Sequence, residues 1–250
     1  MEHFSDNREF DLYRDINTRT NGEIYIGVVG PVRTGKSTFI KRFMDLMVLP
    51  FMEDEHARER TIDELPQSAA GKTIMTTEPK FIPKEAVQIT LGDGIQAKVR
   101  LIDCVGYMVD GAAGHVENGE ERMVKTPWSE KEIPFTQAAQ IGTRKVIGDH
   151  STIGIVVTTD GSVGELKRSA YIDAEKQTVD ELKKLGKPFI LLLNSTKPYS
   201  DETLKLAEQL AADYGVTVLP VSCEQLKKED IFHILESVLK EFPVTQLDFH

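Results

Sequence analysis

Residues 23–38 read Glu-Ile-Tyr-Ile-Gly-Val-Val-Gly-Pro-Val-Arg-Thr-Gly-Lys-Ser-Thr, and this stretch decides the fold. The first part, Glu23–Val29, is an apolar run that predicts a buried strand. The second part, Gly30–Thr38, fits the pattern G-x-x-x-x-G-K-[ST], in which backbone N–H groups surround a phosphate chain at the start of a helix. An amphipathic stretch at 38–47 then predicts that helix. Strand, glycine-rich loop and helix in this order predict a P-loop nucleotide site.

The rest of the chain alternates between apolar runs and amphipathic stretches. Asp93-Gly94 indicates a hairpin turn, and Gly186 and Gly215 indicate helix ends. Further strands are predicted at 86–91, 97–103, 152–158, 189–194 and 216–221, and further helices at 170–185, 201–214 and 230–241. We therefore expect an α/β domain with a mostly parallel six-stranded sheet, one antiparallel edge strand and helices on both faces.

Each position of the loop has a predicted role in holding a nucleotide. Glycines leave room for oxygen atoms near the backbone. Lys36 is expected to place its charge on the β- and γ-phosphates, and the hydroxyl of Ser37 is expected to ligate Mg²⁺. Arg33 either stabilises charge on the phosphates or faces solvent, and the solvent-facing alternative is favoured. The predicted nucleotide-binding residues of the loop are Gly30, Pro31, Val32, Arg33, Thr34, Gly35, Lys36, Ser37 and Thr38.

A second motif, D-x-x-G, lies at 103–106, where a predicted strand ends. Asp103 is placed to hold Mg²⁺, and the N–H of Gly106 to reach a γ-phosphate. Upstream, Thr76 or Thr77 is placed to complete the Mg²⁺ shell and to orient the attacking water. The predicted catalytic residues are Lys36, Thr76, Thr77 and Asp103. The predicted metal ligands are Ser37, Asp103 and Thr77, with Thr76 as the open alternative to Thr77.

The position after Gly106 is Tyr107, where many GTP switches place a glutamine that positions water. A tyrosine has no amide for this purpose. Either the backbone and Thr76 or Thr77 position the water, or another residue supplies the function in trans.

The base-recognition segment departs from the guanine signature N-K-x-D. The chain has Asn194-Ser195-Thr196-Lys197 at the end of a predicted strand. Lys197 has donors and no acceptor, so the N–H groups of guanine would lose their partner at a cost of about 1–3 kcal/mol. ATP therefore becomes the favoured nucleotide. Asn194 and the backbone of Ser222 are predicted to lie against the nucleotide.

The composition limits the partners and the compartment. The 250 residues carry 30 Lys and Arg against 40 Asp and Glu, a net charge of −10. This balance argues against nucleic acid and against anionic lipid as partners of this domain. Two cysteines, Cys104 and Cys223, give neither a metal cluster nor a disulfide framework, which favours the cytoplasm. Two insertions, near 53–77 and 107–135, are expected to be long loops that either decorate the surface or act as mobile lids.

Several long runs, besides the loop itself, resemble the ATPase domain family of stage IV sporulation protein A. The resemblance covers essentially the whole chain and is carried by residues 30–38, 63–73, 76–81, 103–107, 141–146 and 150–154. It implies a P-loop fold of the translation-factor-related (TRAFAC) type that hydrolyses ATP with Mg²⁺. It further implies self-assembly into a layer at the base of the spore coat, in the mother-cell cytoplasm at the forespore surface.

The resemblance also suggests a domain plan and partners. Residues 1–22 are expected to be an N-terminal extension, 23–243 the ATPase domain, and 244–250 the start of a linker to regions absent from this chain. Those regions are expected to contact a small amphipathic membrane peptide and coat proteins, while the full-length protein self-associates into a polymer. A nucleotide-stabilised scaffold and a regulatory GTPase are the alternative functions.

Overall fold

The sheet has the predicted architecture. A computed structural model describes residues 22–66, 79–91, 95–112, 116–117 and 120–242. The strands of its main sheet are β1 Glu23–Val29, β2 Lys80–Leu91, β3 Ile95–Asp103, β8 Ile153–Thr159, β9 Phe189–Asn194 and β10 Val218–Val221. They lie in the order β10-β9-β8-β1-β3-β2, and only β2 and β3 pair antiparallel. The antiparallel strand lies at the sheet edge, as predicted, although residues 92–94 of its turn lie outside the described ranges.

Helices cover both faces of this sheet. The α-helices are α1 Lys36–Phe43, α2 Glu55–Glu64, α3 Phe135–Lys145, α4 Ile172–Leu185, α5 Asp201–Tyr214 and α6 Lys228–Lys240. One core cluster joins β1 to α1 and α6, and a second joins β8 and β9 to α4 and α5. Successive strand residues face opposite clusters, so Ile190 and Leu192 pack on the first and Leu191 and Leu193 on the second.

The boundaries differ from prediction by a few residues. The first helix is α-helical only to Phe43 and continues as a π-helical turn over Met44–Val48. Strand β2 begins at Lys80, six positions before its predicted start at 86.

No helix in the described ranges is long and apolar enough to span a bilayer.

The expectation of one long loop at 53–77 is wrong for its first half, which contains α2. Asp54 caps this helix by accepting hydrogen bonds from the N–H groups of His56 and Ala57, at 2.9 and 3.1 Å. The helix has few apolar residues and buries only Thr61, so hydrophobic periodicity gives no signal for it. Residues 67–78 lie outside the described ranges.

The expectation of a long loop at 107–135 is also wrong in part, because this insertion contains short strands. Two short antiparallel pairs occupy it, β4 Val116–Glu117 with β5 Glu120–Glu121, and β6 Met123–Thr126 with β7 Ser129–Pro134. Its first part contributes to a small third apolar cluster beside the glycine-rich loop. We call this the third cluster; its buried members are Val32, Tyr107, Val109, Ala112, Tyr171 and Ala174.

Candidate nucleotide-binding site

The glycine-rich loop connects the carboxyl end of β1 to α1, and two of its glycines cannot carry a side chain. Gly30 and Gly35 have φ angles of +134° and +98°, in the region that disfavours residues with a Cβ. A Cβ on Gly30 would lie 2.3 Å from the carbonyl oxygen of Val157, and one on Gly35 would lie 2.3 Å from Nδ2 of Asn194. The loop is therefore a close-fitting cradle of backbone, with the first turn of α1 behind it.

Lys36 is buried within this cradle. Its ammonium donates to the carbonyl oxygens of Pro31 and Gly30 at 2.6 and 3.3 Å. Burial lowers the pKa of this ammonium, and the nearby Cys104 and Asp103 act in the opposite direction. A buried cation whose hydrogen bonds go to backbone carbonyls is well suited to an anionic ligand in the loop.

Ser37 and Asp103 meet because β1 and β3 are parallel neighbours that both end at this edge of the sheet. The Ser37 hydroxyl donates to Oδ2 of Asp103 at 3.2 Å. Burial raises the pKa of the Asp103 carboxyl, while the Lys36 charge and the Ser37 hydrogen bond lower it. Oδ1 of Asp103 is buried without a hydrogen-bond partner among the described residues.

This donor set fits Mg²⁺. A hydroxyl and a carboxylate with an unused oxygen are ligands of the kind that the ion prefers. The part of the chain that the structure describes has no group of three His, Cys, Asp or Glu side chains that could hold a metal ion. At nucleotide sites, phosphate oxygens and water usually supply further ligands of Mg²⁺.

The D-x-x-G segment lies directly on the glycine-rich loop. The N–H of Tyr107 donates to the carbonyl of Gly30 at 3.2 Å, and the N–H of Val32 donates to the carbonyl of Tyr107 at 2.9 Å. Gly106 has a φ of +90°, and a Cβ there would lie 2.0 Å from the Gly30 carbonyl oxygen and 2.7 Å from Nζ of Lys36. The phenol of Tyr107 is buried in the third cluster, so this side chain faces the interior.

Asn194, at the end of β9, holds two loops together. Its Nδ2 donates to the carbonyl of Thr34 at 2.9 Å, and its Oδ1 accepts from the N–H of Cys223 at 3.0 Å. Both polar atoms of the amide are thus bonded to backbone. Asn194 thus connects the glycine-rich loop to the segment that carries Ser222 and Cys223.

Comparison with known proteins gives the family. A profile described as "Stage IV sporulation protein A, ATPase domain" matches residues 7–243. The chain belongs to this family. Stage IV sporulation protein A of Bacillus anthracis and that of Bacillus subtilis (strain 168) are each 53% identical to it over 238 residues, which cover 95% of this chain and 48% of the relative. The protein of Clostridioides difficile (strain 630) is 53% identical over 237 residues, with the same coverage. The chain therefore spans about half the length of these relatives.

In this member of the stage IV sporulation protein A ATPase family, the segment after Asn194 is held by hydroxyl groups. The buried Ser195 hydroxyl accepts from the N–H of Lys197 at 3.0 Å, and the Ser162 hydroxyl accepts from the N–H of Thr196 at 2.9 Å. The Lys197 side chain is exposed. Lys197 thus occupies the position at which the guanine signature N-K-x-D has its aspartate acceptor.

A buried ion pair beside the site was not predicted from the sequence. Glu175 is fully buried in α4, and its two oxygens accept from the guanidinium of Arg168 at 2.6 and 2.7 Å. The hydroxyls of Thr158 and Tyr214 donate to the same carboxylate. Arg168 also donates to the carbonyl of Thr159, which fixes the loop after β8 against the sheet. No sequence pattern marks this network, because its members come from four separate elements.

The structure brings most of the predicted site residues together. The Gly30–Thr38 loop, Asp103, Gly106 and Asn194 form one contiguous site at the carboxyl ends of β1, β3 and β9. Arg33, within the loop, is exposed. Thr76 and Thr77 lie outside the described residues, so their predicted roles stay predictions.

Proposed function

We propose that this chain is the Mg²⁺-dependent ATP-hydrolysing domain of a sporulation protein, and that hydrolysis drives the protein's self-assembly into a layer at the base of the spore coat. One observation carries the proposal. A buried Lys36 and the Ser37–Asp103 pair adjoin a glycine cradle that a Cβ would fill. The ATPase-domain family to which the chain belongs supports the same activity.

In this proposal, separate groups of the site bind the triphosphate, hold Mg²⁺ and orient the attacking water. The backbone N–H groups of the loop and the Lys36 ammonium bind the triphosphate. Ser37 and Asp103 would hold Mg²⁺, which neutralises charge on the β- and γ-phosphates when bound. The N–H of Gly106 faces the γ-phosphate, and Thr76 or Thr77 orients the attacking water.

We assign the fold to the TRAFAC type of P-loop NTPase. The support is the D-x-x-G motif on β3, next to the P-loop strand, together with an antiparallel strand at that edge of the sheet. The base segment supports ATP as the substrate. The exposed Lys197 offers no acceptor to the N–H groups of guanine, and both polar atoms of Asn194 are bonded to backbone.

The proposed setting is the mother-cell cytoplasm at the forespore surface, in agreement with the sporulation names of the relatives. In the full-length protein, we propose self-association into a polymer, with contacts to a small amphipathic membrane peptide and to coat proteins. Regions beyond this chain would make those contacts. Nucleic acid is not a proposed partner, because the chain has a net charge of −10.

Phosphate release tests the proposed activity. The purified chain is expected to release phosphate slowly from ATP with Mg²⁺, and to release less from GTP. Lys36→Ala removes the buried ammonium and should abolish turnover. Release by the wild-type chain that does not exceed release by Lys36→Ala would contradict the proposal.

A nucleotide-stabilised scaffold with incidental turnover is the second candidate. The burial of Tyr107 favours it, because this side chain cannot position water as a glutamine would. Asp103→Ala in the full-length protein separates the two functions. A variant that binds ATP, does not hydrolyse it and still assembles normally would establish the scaffold, whereas failure to assemble would support hydrolysis as the driving step.

A further inference from the structure

Arg33 differs from its neighbours in the glycine-rich loop. Pro31, Val32 and Thr34 are buried, and the Thr34 hydroxyl donates to the carbonyl of Pro31 at 3.0 Å. Arg33 alone of the four residues between Gly30 and Gly35 is exposed. Its side chain is therefore accessible to solvent, and to a ligand that lies against the loop.

The guanidinium of Arg33 has no hydrogen-bond, ion-pair or ring partner among the residues that the structure describes. Among the arginines in the described ranges, it is the one without a hydrogen bond, an ion pair or an aromatic ring contact. The others are engaged with carbonyls, carboxylates or rings: Arg42, Arg58, Arg60, Arg100, Arg122, Arg144 and Arg168. A cation without a partner beside an anion site is available for a ligand.

The backbone at Arg33 is in the left-handed region. Its φ is +61°, and no other residue except glycine in the described part of the chain has a positive φ. This conformation costs about 1–2 kcal/mol for a residue with a Cβ, and glycine would avoid that cost. The loop thus carries a long cationic side chain at a position where its conformation favours glycine.

The loop after β8 lies close to the backbone of Arg33. A Cβ on Gly164 would lie 3.5 Å from the hydroxyl oxygen of Tyr171 and 4.0 Å from the carbonyl oxygen of Arg33. Burial raises the pKa of the Tyr171 phenol, and the Arg33 charge acts in the opposite direction. Arg33 therefore lies close to Tyr171, a member of the third cluster, which also holds Tyr107.

We propose that Arg33 is a catalytic residue, whose guanidinium contacts the phosphate oxygens and stabilises the charge that develops on them during hydrolysis. The inference rests on the proposed ATPase function and names the arginine for that reaction. Water oxygen forms a bond to the γ-phosphorus while the bond to the β–γ bridging oxygen breaks. The electron pair of the broken bond stays on ADP, and the water protons pass to the phosphate product and to solvent.

The chemistry of the site agrees with this role. Tyr107 faces the interior, so the residue that follows the D-x-x-G motif supplies no side chain to the reaction. Arg168, which lies near the carboxyl end of β8, forms an ion pair with Glu175 and is not free to bind phosphate. A guanidinium offers a planar fork of donors that matches phosphate oxygens, and an arginine supplied in cis is an established way to accelerate phosphoryl transfer.

Kinetics and binding of three Arg33 variants test the proposal. Arg33→Gly suits the φ of +61° and should fold at least as well as the wild-type chain. Arg33→Ala removes the guanidinium, and Arg33→Lys keeps a charge without the fork. All three are expected to lower kcat for phosphate release, Gly and Ala by about 10²-fold, while the Kd for ATP changes by less than about threefold. Arg60→Ala, which removes an exposed arginine from α2, is the matched control and should keep wild-type kcat.

Two further measurements separate catalysis from a structural role. Added guanidinium chloride, below denaturing concentration, is expected to restore part of the turnover of Arg33→Ala but not of Lys36→Ala. Arg33→Gly is expected to lose affinity for ADP with aluminium fluoride, which mimics the transition state, and to keep its affinity for ADP.

The outcomes distinguish this inference from the proposed function. Wild-type kcat in both Arg33→Gly and Arg33→Ala, with Lys36→Ala inactive, would overturn the role of Arg33 and leave the ATPase standing. Wild-type turnover no higher than that of Lys36→Ala would overturn both. Equal losses in kcat and in ATP affinity, without rescue, would show that Arg33 only binds the nucleotide and would also overturn the proposal.

Discussion

Replacing Gly106 by alanine is expected to lower phosphate release by at least about 100-fold. The added Cβ would lie 2.0 Å from the Gly30 carbonyl oxygen and 2.7 Å from Nζ of Lys36, and the φ of +90° is strained for alanine. The backbone must therefore move away from the glycine-rich loop. That movement displaces the N–H proposed to face the γ-phosphate and breaks the contacts of Tyr107 with Gly30 and Val32.

The measurement is steady-state phosphate release, with the folded state checked by circular dichroism. Gly148→Ala is the control, because a Cβ at Gly148 meets only ordinary contacts with the Leu185 side chain, the nearest at 3.7 Å. It should keep wild-type turnover. A Gly106→Ala variant with wild-type turnover would show that the D-x-x-G segment does not approach the phosphates in this way.

Replacing Glu175 by alanine is expected to lower the free energy of unfolding by about 3–5 kcal/mol. The change leaves the Arg168 guanidinium without its carboxylate partner. Only 20% of the Arg168 side chain is exposed, so water replaces that partner poorly. The hydroxyls of Thr158 and Tyr214 lose their acceptor as well. The cost is large because a buried charge without a partner is far less favourable than the intact pair.

Urea denaturation measures this loss. Glu208→Ala removes an exposed carboxylate from α5 and should change the free energy of unfolding by less than about 0.5 kcal/mol. A double variant, Arg168→Ala with Glu175→Ala, should be less destabilised than the sum of the two single variants. A loss below about 1 kcal/mol for Glu175→Ala would mean that the network does not hold the loop after β8.

The parts of the fold with strong local signals could be predicted from the sequence. Apolar runs gave β1, β8 and β9, and Gly186 and Gly215 marked the ends of α4 and α5. The glycine-rich loop was predictable because its mechanism demands particular residues at fixed spacing. Helix α2 was missed, because a polar helix with a side-chain cap has no hydrophobic period.

The site was predictable where the chemistry is local. Lys36 and Ser37 follow from the loop motif, and Asp103 and Gly106 follow from a motif whose position could be tied to a strand end. The orientation of Tyr107 and the pairing of Arg168 with Glu175 depend on how distant elements pack, which one sequence does not encode in any short pattern. For the same reason, the sequence does not show that Arg33 lacks a partner among the described residues, because the contacts of the arginines depend on tertiary packing.

Nucleotide binding by this chain, ATP against GTP and with or without Mg²⁺, tests the central claim most directly. The base segment predicts ATP binding at least about tenfold tighter than GTP binding, because guanine loses an acceptor. Mg²⁺ should tighten the binding of ATP, and Lys36→Ala should weaken it. GTP bound as tightly as ATP, or ATP binding that neither Mg²⁺ nor Lys36→Ala alters, would contradict a triphosphate site built on the loop at 30–38.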